Sequence, residues 1–106
     1  MKKHRGRNTP EQIESDRGLY EAIALIQTAE EAQKFLNDLC TPMELQSMAD
    51  RWRVLDALKQ DKSYRKIYEE TGVSVTTVGR VARSIMQGKG GYNLIYERLK
   101  KINFGR

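Results

Sequence analysis

Two threonines, a glycine and two arginines, Thr76, Thr77, Gly79, Arg80 and Arg83, interrupt the apolar residues of SVTTVGRVARSIM. They are the side chains best suited to touching a base edge or a polyanion. Short Thr and Gly side chains let a helix approach another surface closely, and a threonine can donate, accept or touch a thymine methyl. Other residues capable of chemistry are poorly placed for it. Cys40 is the one cysteine and His4 the one histidine, and His4 sits in a segment expected to be mobile, so no thiol–imidazole pair is expected. Cys40 ends the apolar pattern Ala32, Phe35, Leu36, Leu39 and reads as a buried structural thiol. QGKGG lacks the spacing of a phosphate loop and follows a helical pattern, which suits a hinge. The pairs Glu30-Glu31 and Glu69-Glu70 are adjacent, so on a helix they point about 100° apart and suit capping or solvation rather than acid/base work. No catalytic residue, metal site or cofactor is expected, and an enzyme is the least supported reading.

Ser63 is an N-cap for a short helix whose inward residue is Ile67. Gly72 supplies the left-handed conformation that ends that helix in a sharp turn. Ser74 caps the next helix, in which Val75, Val78, Val81, Ala82 and Ile85 recur at spacings of three and four. The stretch of about 63–86 is therefore a helix-turn-helix with hydroxyls and arginines on its front. The same pattern also suits any amphipathic helical hairpin with a polar outer face.

Three further helix starts precede it. Thr9-Pro10-Glu11-Gln12, Thr28-Ala29-Glu30-Glu31 and Thr41-Pro42-Met43-Glu44 are capping sequences, two of them with proline in the first turn. They predict helices to about Gln27, about Cys40 and about Gln60. The first turns Ile13, Tyr20, Ile23 and Ala24 inward. The third carries the face Leu45, Met48, Ala49, Trp52, Leu55 and Leu58, with Trp52 in the core and Arg51 and Arg53 off that face. After glycines 88, 90 and 91, residues Tyr92, Ile95, Tyr96, Leu99 and Ile102 describe a last amphipathic helix. The chain is thus expected to be all-α, with six helices in one domain over residues 9–106.

Charge is divided by segment. Residues 1–8 carry four Lys or Arg and no acid, residues 9–50 two basic and nine acidic residues, and residues 51–106 thirteen basic and five acidic, within a net charge of +5 over 106 residues. A basic half that holds the hairpin is the electrostatic footprint nucleic acid requires. The first eight residues read as a disordered basic arm, in which Lys2, Lys3, Arg5 and Arg7 either contact phosphates or only solubilise the chain. With neither a signal peptide nor a transmembrane span in view, a cytoplasmic protein is expected. The first two helices have wide apolar faces but few residues, so pairing with a second copy would bury more. A dimer also reads two half-sites about 34–36 Å apart.

From Leu39 to about Ser84 the chain resembles the tryptophan repressor (TrpR) family, through LCTPMEL, RWRVLDAL and SYRKIYEETGVSVTTVGR. It is especially similar to the family's TrpR-related YerC/YecD branch, which shares the FLNDLCTPMELQS-like and GKGGY-like segments. The resemblance implies an intertwined homodimer that binds double-stranded operator DNA as a transcriptional regulator, a repressor in its type member. It puts Tyr64, Arg65 and Tyr68 at the DNA backbone and Val75, Thr76, Thr77 and Gly79 at the bases. With Lys66, Arg80 and Arg83 added from the basic front, these are the candidate DNA contacts. Arg51 and Arg80 match the family's two effector-pocket arginines and, with Ser84, are candidate effector residues. The glycine that makes room for the indole is here Val81, where extra methyl groups typically cost ~1–3 kcal/mol, so tryptophan is not the expected corepressor. Two other readings fit the same residues: a protein-interaction module in a replication or transcription assembly, and a small-molecule sensor.

Overall fold

The chain is described from a computed structural model over residues 6–104. His4 and the basic residues Lys2, Lys3 and Arg5 of the expected arm lie outside the described residues. The described residues hold six α-helices and no strand: α1 Pro10–Ile23, α2 Ala29–Leu39, α3 Pro42–Lys59, α4 Tyr64–Thr71, α5 Val75–Gln87 and α6 Gly91–Phe104. None is long and apolar enough to cross a membrane. The described residues form two compact units that meet in sequence at Thr41 and Pro42.

The first unit is α1 and α2. Thr9 caps α1, its side chain accepting from the Gln12 N–H at 3.1 Å, and Thr28 caps α2, accepting from Glu31 N–H at 3.0 Å. The Glu31 carboxylate reaches back to the Gln27 N–H at 2.9 Å, closing the capping box one residue earlier than the Thr28 amide. Arg7, the described basic residue of the arm, pairs with Asp16 on α1. Helix α1 stops at Ile23 rather than near Gln27, because Leu25 and Ile26 donate to carbonyls only three residues back and tighten the chain out of the α-helix. Neither helix buries a residue. Ile13 and Tyr20, expected inward, are 56% and 63% exposed, and Ile23, Ala24 and Leu39 are exposed as well. Cys40, expected to be buried, is half-buried. Two short helices enclose no volume between them, so an inward face has nothing within the unit to turn toward.

The second unit has the core. Helix α3 packs against α4 and α5, α4 against α5, and α5 against α6. Val54, Leu55, Ala57, Ile67, Val73, Val78 and Val81 are buried together, with Trp52, Leu58, Ile85, Tyr92 and Tyr96 packed around them. Trp52 is therefore at the edge of the core rather than inside it. Val54 and Ala57, not part of the expected face of α3, are buried because α4 and α5 cover that side of the helix. The end of α3 is a Schellman turn: Asp61 takes φ +60°, its N–H donates to Leu58 O at 3.0 Å, and the Lys62 N–H donates to Ala57 O at 3.3 Å. An aspartate tolerates the left-handed region better than most residues with a Cβ.

Helix α6 is fixed to the ends of α3 and α5 by polar contacts. Asn93 donates to Ile85 O at 3.3 Å and accepts from Lys59, whose ammonium also lies 5.6 Å from the Tyr96 ring centroid. The Tyr96 hydroxyl donates to Asp56 at 3.2 Å. Burial raises the Tyr96 phenol above its ordinary range, and the hydrogen bond and charge of Asp56 act in the same direction. Leu94, Ile95, Leu99 and Ile102 remain exposed.

Candidate nucleic-acid interface

The hairpin is built almost entirely by short-range bonds that the sequence dictates. Ser63 caps α4, its side chain accepting from the Lys66 N–H at 3.1 Å, and Ile67 goes fully into the core. Gly72 has φ +76°, and its N–H donates to Tyr68 O at 2.8 Å. A Cβ at that φ is strained, which is why a glycine sits there. Ser74 then caps α5, accepting from the Thr77 N–H at 3.2 Å and donating its own hydroxyl to Thr77 Oγ1 at 3.1 Å. Val78 and Val81 anchor α5 from beneath, at 0% and 1% exposed.

With that face inside, the candidate contact residues come to the outside. Tyr64, Arg65, Lys66 and Tyr68 of α4 are exposed, as are Val75, Thr76, Arg80 and Arg83 of α5, while Thr77 and Gly79 are half-buried. Val75 belongs to the apolar repeat of α5, yet it is 52% exposed at the first residue of the helix. The two helices meet across Gly79: a Cβ built there would lie 3.6 Å from Arg83 Nη1 and 3.8 Å from Tyr64 Cε2. Tyr64 and Arg83 thus share one side of the hairpin with Gly79. Among the described residues, Arg65 pairs with Glu69 at 3.2 Å and Lys62 with Glu70 at 3.1 Å. Both carboxylates are on α4 at the surface, where such pairs are weak and a phosphate can displace the carboxylate.

The candidate effector residues fall in two separate depressions. Arg51 lines a cavity of about 230 Å³ between α3 and the hairpin turn, with Asp50, Gly72, Val73, Ser74 and Thr77. Arg80 and Ser84 line another, of about 270 Å³, beside Arg83, Gln87 and Gly88. Val81 contributes to neither lining; its methyl groups are part of the core. Gly88 is required for a different reason than hinge freedom, since a Cβ there would lie 2.4 Å from Ser84 O. Two residues with no sequence signal complete the local structure. Arg53 reaches from α3 to the Thr71 carbonyl at 2.9 Å, and Asn93 from α6 to the end of α5. Their partners are too far along the chain for a spacing rule to find.

Comparison with known proteins matches residues 14–100 to the Trp repressor protein family. The chain belongs to that family. The uncharacterized protein YerC of Bacillus subtilis (strain 168) is 37% identical over 83 residues, which cover 78% of this chain and 80% of YerC. A solved structure from Staphylococcus aureus described as a candidate Trp repressor superposes with a TM-score of 0.77 at 36% identity, covering 82% of this chain and 87% of that one. A TrpR-like protein from Eubacterium eligens ATCC 27750 gives 0.75 at 34% identity, covering 89% and 93%. The fold is that of the Trp repressor family, in its YerC-type branch, and the family is one of regulators rather than enzymes.

Proposed function

We propose that this chain is a sequence-specific DNA-binding transcriptional regulator, a repressor by its family type, that inserts α5 into the major groove of a two-fold-symmetric operator. The reading is supported by the hairpin: a left-handed glycine turn delivers a serine-capped helix whose apolar side is buried, whose Thr76, Arg80 and Arg83 are exposed, and whose Thr77 and Gly79 are half-buried. In this reading Val75, Thr76, Thr77 and Gly79 meet bases, while Tyr64, Arg65, Lys66, Tyr68, Arg80 and Arg83 hold the phosphate backbone. Each phosphate contact releases counterions, so binding weakens steeply with salt.

The acting species in this proposal is an intertwined homodimer. Its support is the uncovered apolar surface: Ile13, Tyr20, Ile23 and Leu25 in the first unit, and Leu94, Ile95 and Ile102 on α6, are each more than 40% exposed. A second copy offers the same faces and supplies the second recognition helix that selectivity in a genome requires. Tryptophan is not the corepressor in this reading, because Arg51 and Arg80 line separate depressions and the position at which the family has its indole-accommodating glycine is here Val81. The experiment is selection of bound duplexes from a random DNA pool, with and without tryptophan. Enrichment of an inverted repeat under both conditions supports the proposal. Enrichment of nothing, with a stable complex to a protein partner, favours an interaction module instead.

A further inference from the structure

We infer that Arg53 is a positioning residue for sequence-specific DNA reading: its guanidinium clamps the turn that aims α5. The inference rests on the proposed reading of the hairpin as a DNA reader. Arg53 Nη2 donates to the Thr71 carbonyl at 2.9 Å across 18 residues of sequence. Thr71 is the last residue of α4, so its carbonyl is one of those a helix leaves without an internal donor. A cation at that end also meets the negative pole of the helix dipole.

The rest of Thr71 closes the turn from within. Its hydroxyl donates to Ile67 O at 2.7 Å and accepts from the Val73 N–H at 3.1 Å. Between Thr71 and the start of α5 at Val75 stand only Gly72, Val73 and Ser74. A shift at the Thr71–Gly72 link moves the first turn of α5, with Thr76 and Thr77, about the anchor that Val78 and Val81 make in the core, and glycine offers little resistance to it. Arg53 supplies a hydrogen bond from α3 to this link, beside the packing of buried Val73 in the same core as Val54 and Leu55, and those two residues, at 0% exposed, make α3 a rigid anchor. Arg53 itself is exposed. Removing its donor leaves the core intact, so positioning and folding can be measured separately.

Base reading depends on how side chains meet base edges, whereas phosphate contacts carry no sequence information. The test uses the full chain and the duplex that the wild type selects, beside a scrambled duplex, over a range of salt. Arg53→Met keeps the apolar stem and removes the donor; Arg53→Lys keeps a donor and the charge. For Arg53→Met, assayed where the variant is fully folded, affinity for the selected duplex should fall about tenfold with scrambled-duplex affinity and salt slope nearly unchanged, while loss of a bond at an exposed carbonyl that water can reach should lower the melting temperature by only a few degrees. Arg53→Lys should recover most of the loss. Equal losses on both duplexes with the slope of log K against log salt reduced by about 0.9 would make Arg53 a phosphate contact and overturn the inference. Unchanged discrimination, or equal losses that follow a lowered melting temperature, would overturn it too. If the wild type selects no sequence, the DNA-reading proposal fails first and this role fails with it.

Discussion

Replacing Gly79 by alanine should make the protein more stable and a poorer DNA reader at once. Gly79 is the fifth residue of the thirteen in α5, well inside the helix. Glycine at such a position destabilises a helix by roughly 0.5–1 kcal/mol relative to alanine, through the greater backbone freedom it gives up on folding. The free protein has room for the methyl group. Its nearest neighbours would be Arg83 Nη1 at 3.6 Å and Tyr64 Cε2 at 3.8 Å, both ordinary van der Waals contacts on flexible or rotatable groups. For a chain of this size the gain corresponds to a rise of about 2–8 °C in melting temperature. On DNA the same methyl group would stand where the helix backbone must approach the groove, and a misfit of one methyl costs ~1–3 kcal/mol, of the order of tenfold in affinity. Thermal unfolding followed by circular dichroism, with titration of the selected duplex, measures both. A raised melting temperature with undiminished affinity would remove Gly79 from the interface. A lowered melting temperature would contradict the packing around it.

Two further outcomes follow from named contacts. Glu69→Gln frees Arg65 from its 3.2 Å pairing and should raise affinity for selected and scrambled duplexes alike by about twofold at low salt, the worth of an exposed i,i+4 pair; a change confined to the selected duplex would contradict a phosphate role for Arg65. The phenol of Tyr96 is held in its neutral form by burial and by Asp56, so its contribution to stability is complete below the ordinary tyrosine value near 10 and is lost as the pH rises through the higher folded-state value. Tyr96→Phe should therefore flatten the fall in stability at alkaline pH, measured as urea midpoints between about pH 9 and 11; an unchanged slope would mean that Tyr96 ionises alike in both states.

How much of this was legible in the sequence depended on how local the cause was. The caps Thr9, Thr28, Ser63 and Ser74 act on amides three residues ahead, and each helix they predict is present. Gly72 was equally plain, since few residues but glycine suit φ +76°. The end of α1 was not: Ala24, Leu25 and Ile26 carry no stop signal, and the helix closes by tightening at its last turn. On α3 the repeat Leu45 to Leu58 suggested a face, but Val54 and Ala57 are buried by α4 and α5, which only tertiary packing could disclose. Ile13, Tyr20 and Ile23 of α1, expected inward from their spacing, are exposed, because periodicity marks an apolar face without supplying a neighbour for it. For the candidate contacts, exposure followed from the burial of Val78 and Val81, whereas Arg53 and its distant carbonyl partner had no pattern to betray them.

In the proposed reading one side of this hairpin reads bases while its basic residues hold phosphates. Thr76→Ala and Arg65→Ala affinities on the selected and scrambled duplexes in the same buffer separate the two roles. Loss of discrimination in Thr76→Ala, at about 1–3 kcal/mol for a base contact, beside uniform weakening in Arg65→Ala, is the result expected. Equal effects of both substitutions on both duplexes would contradict it.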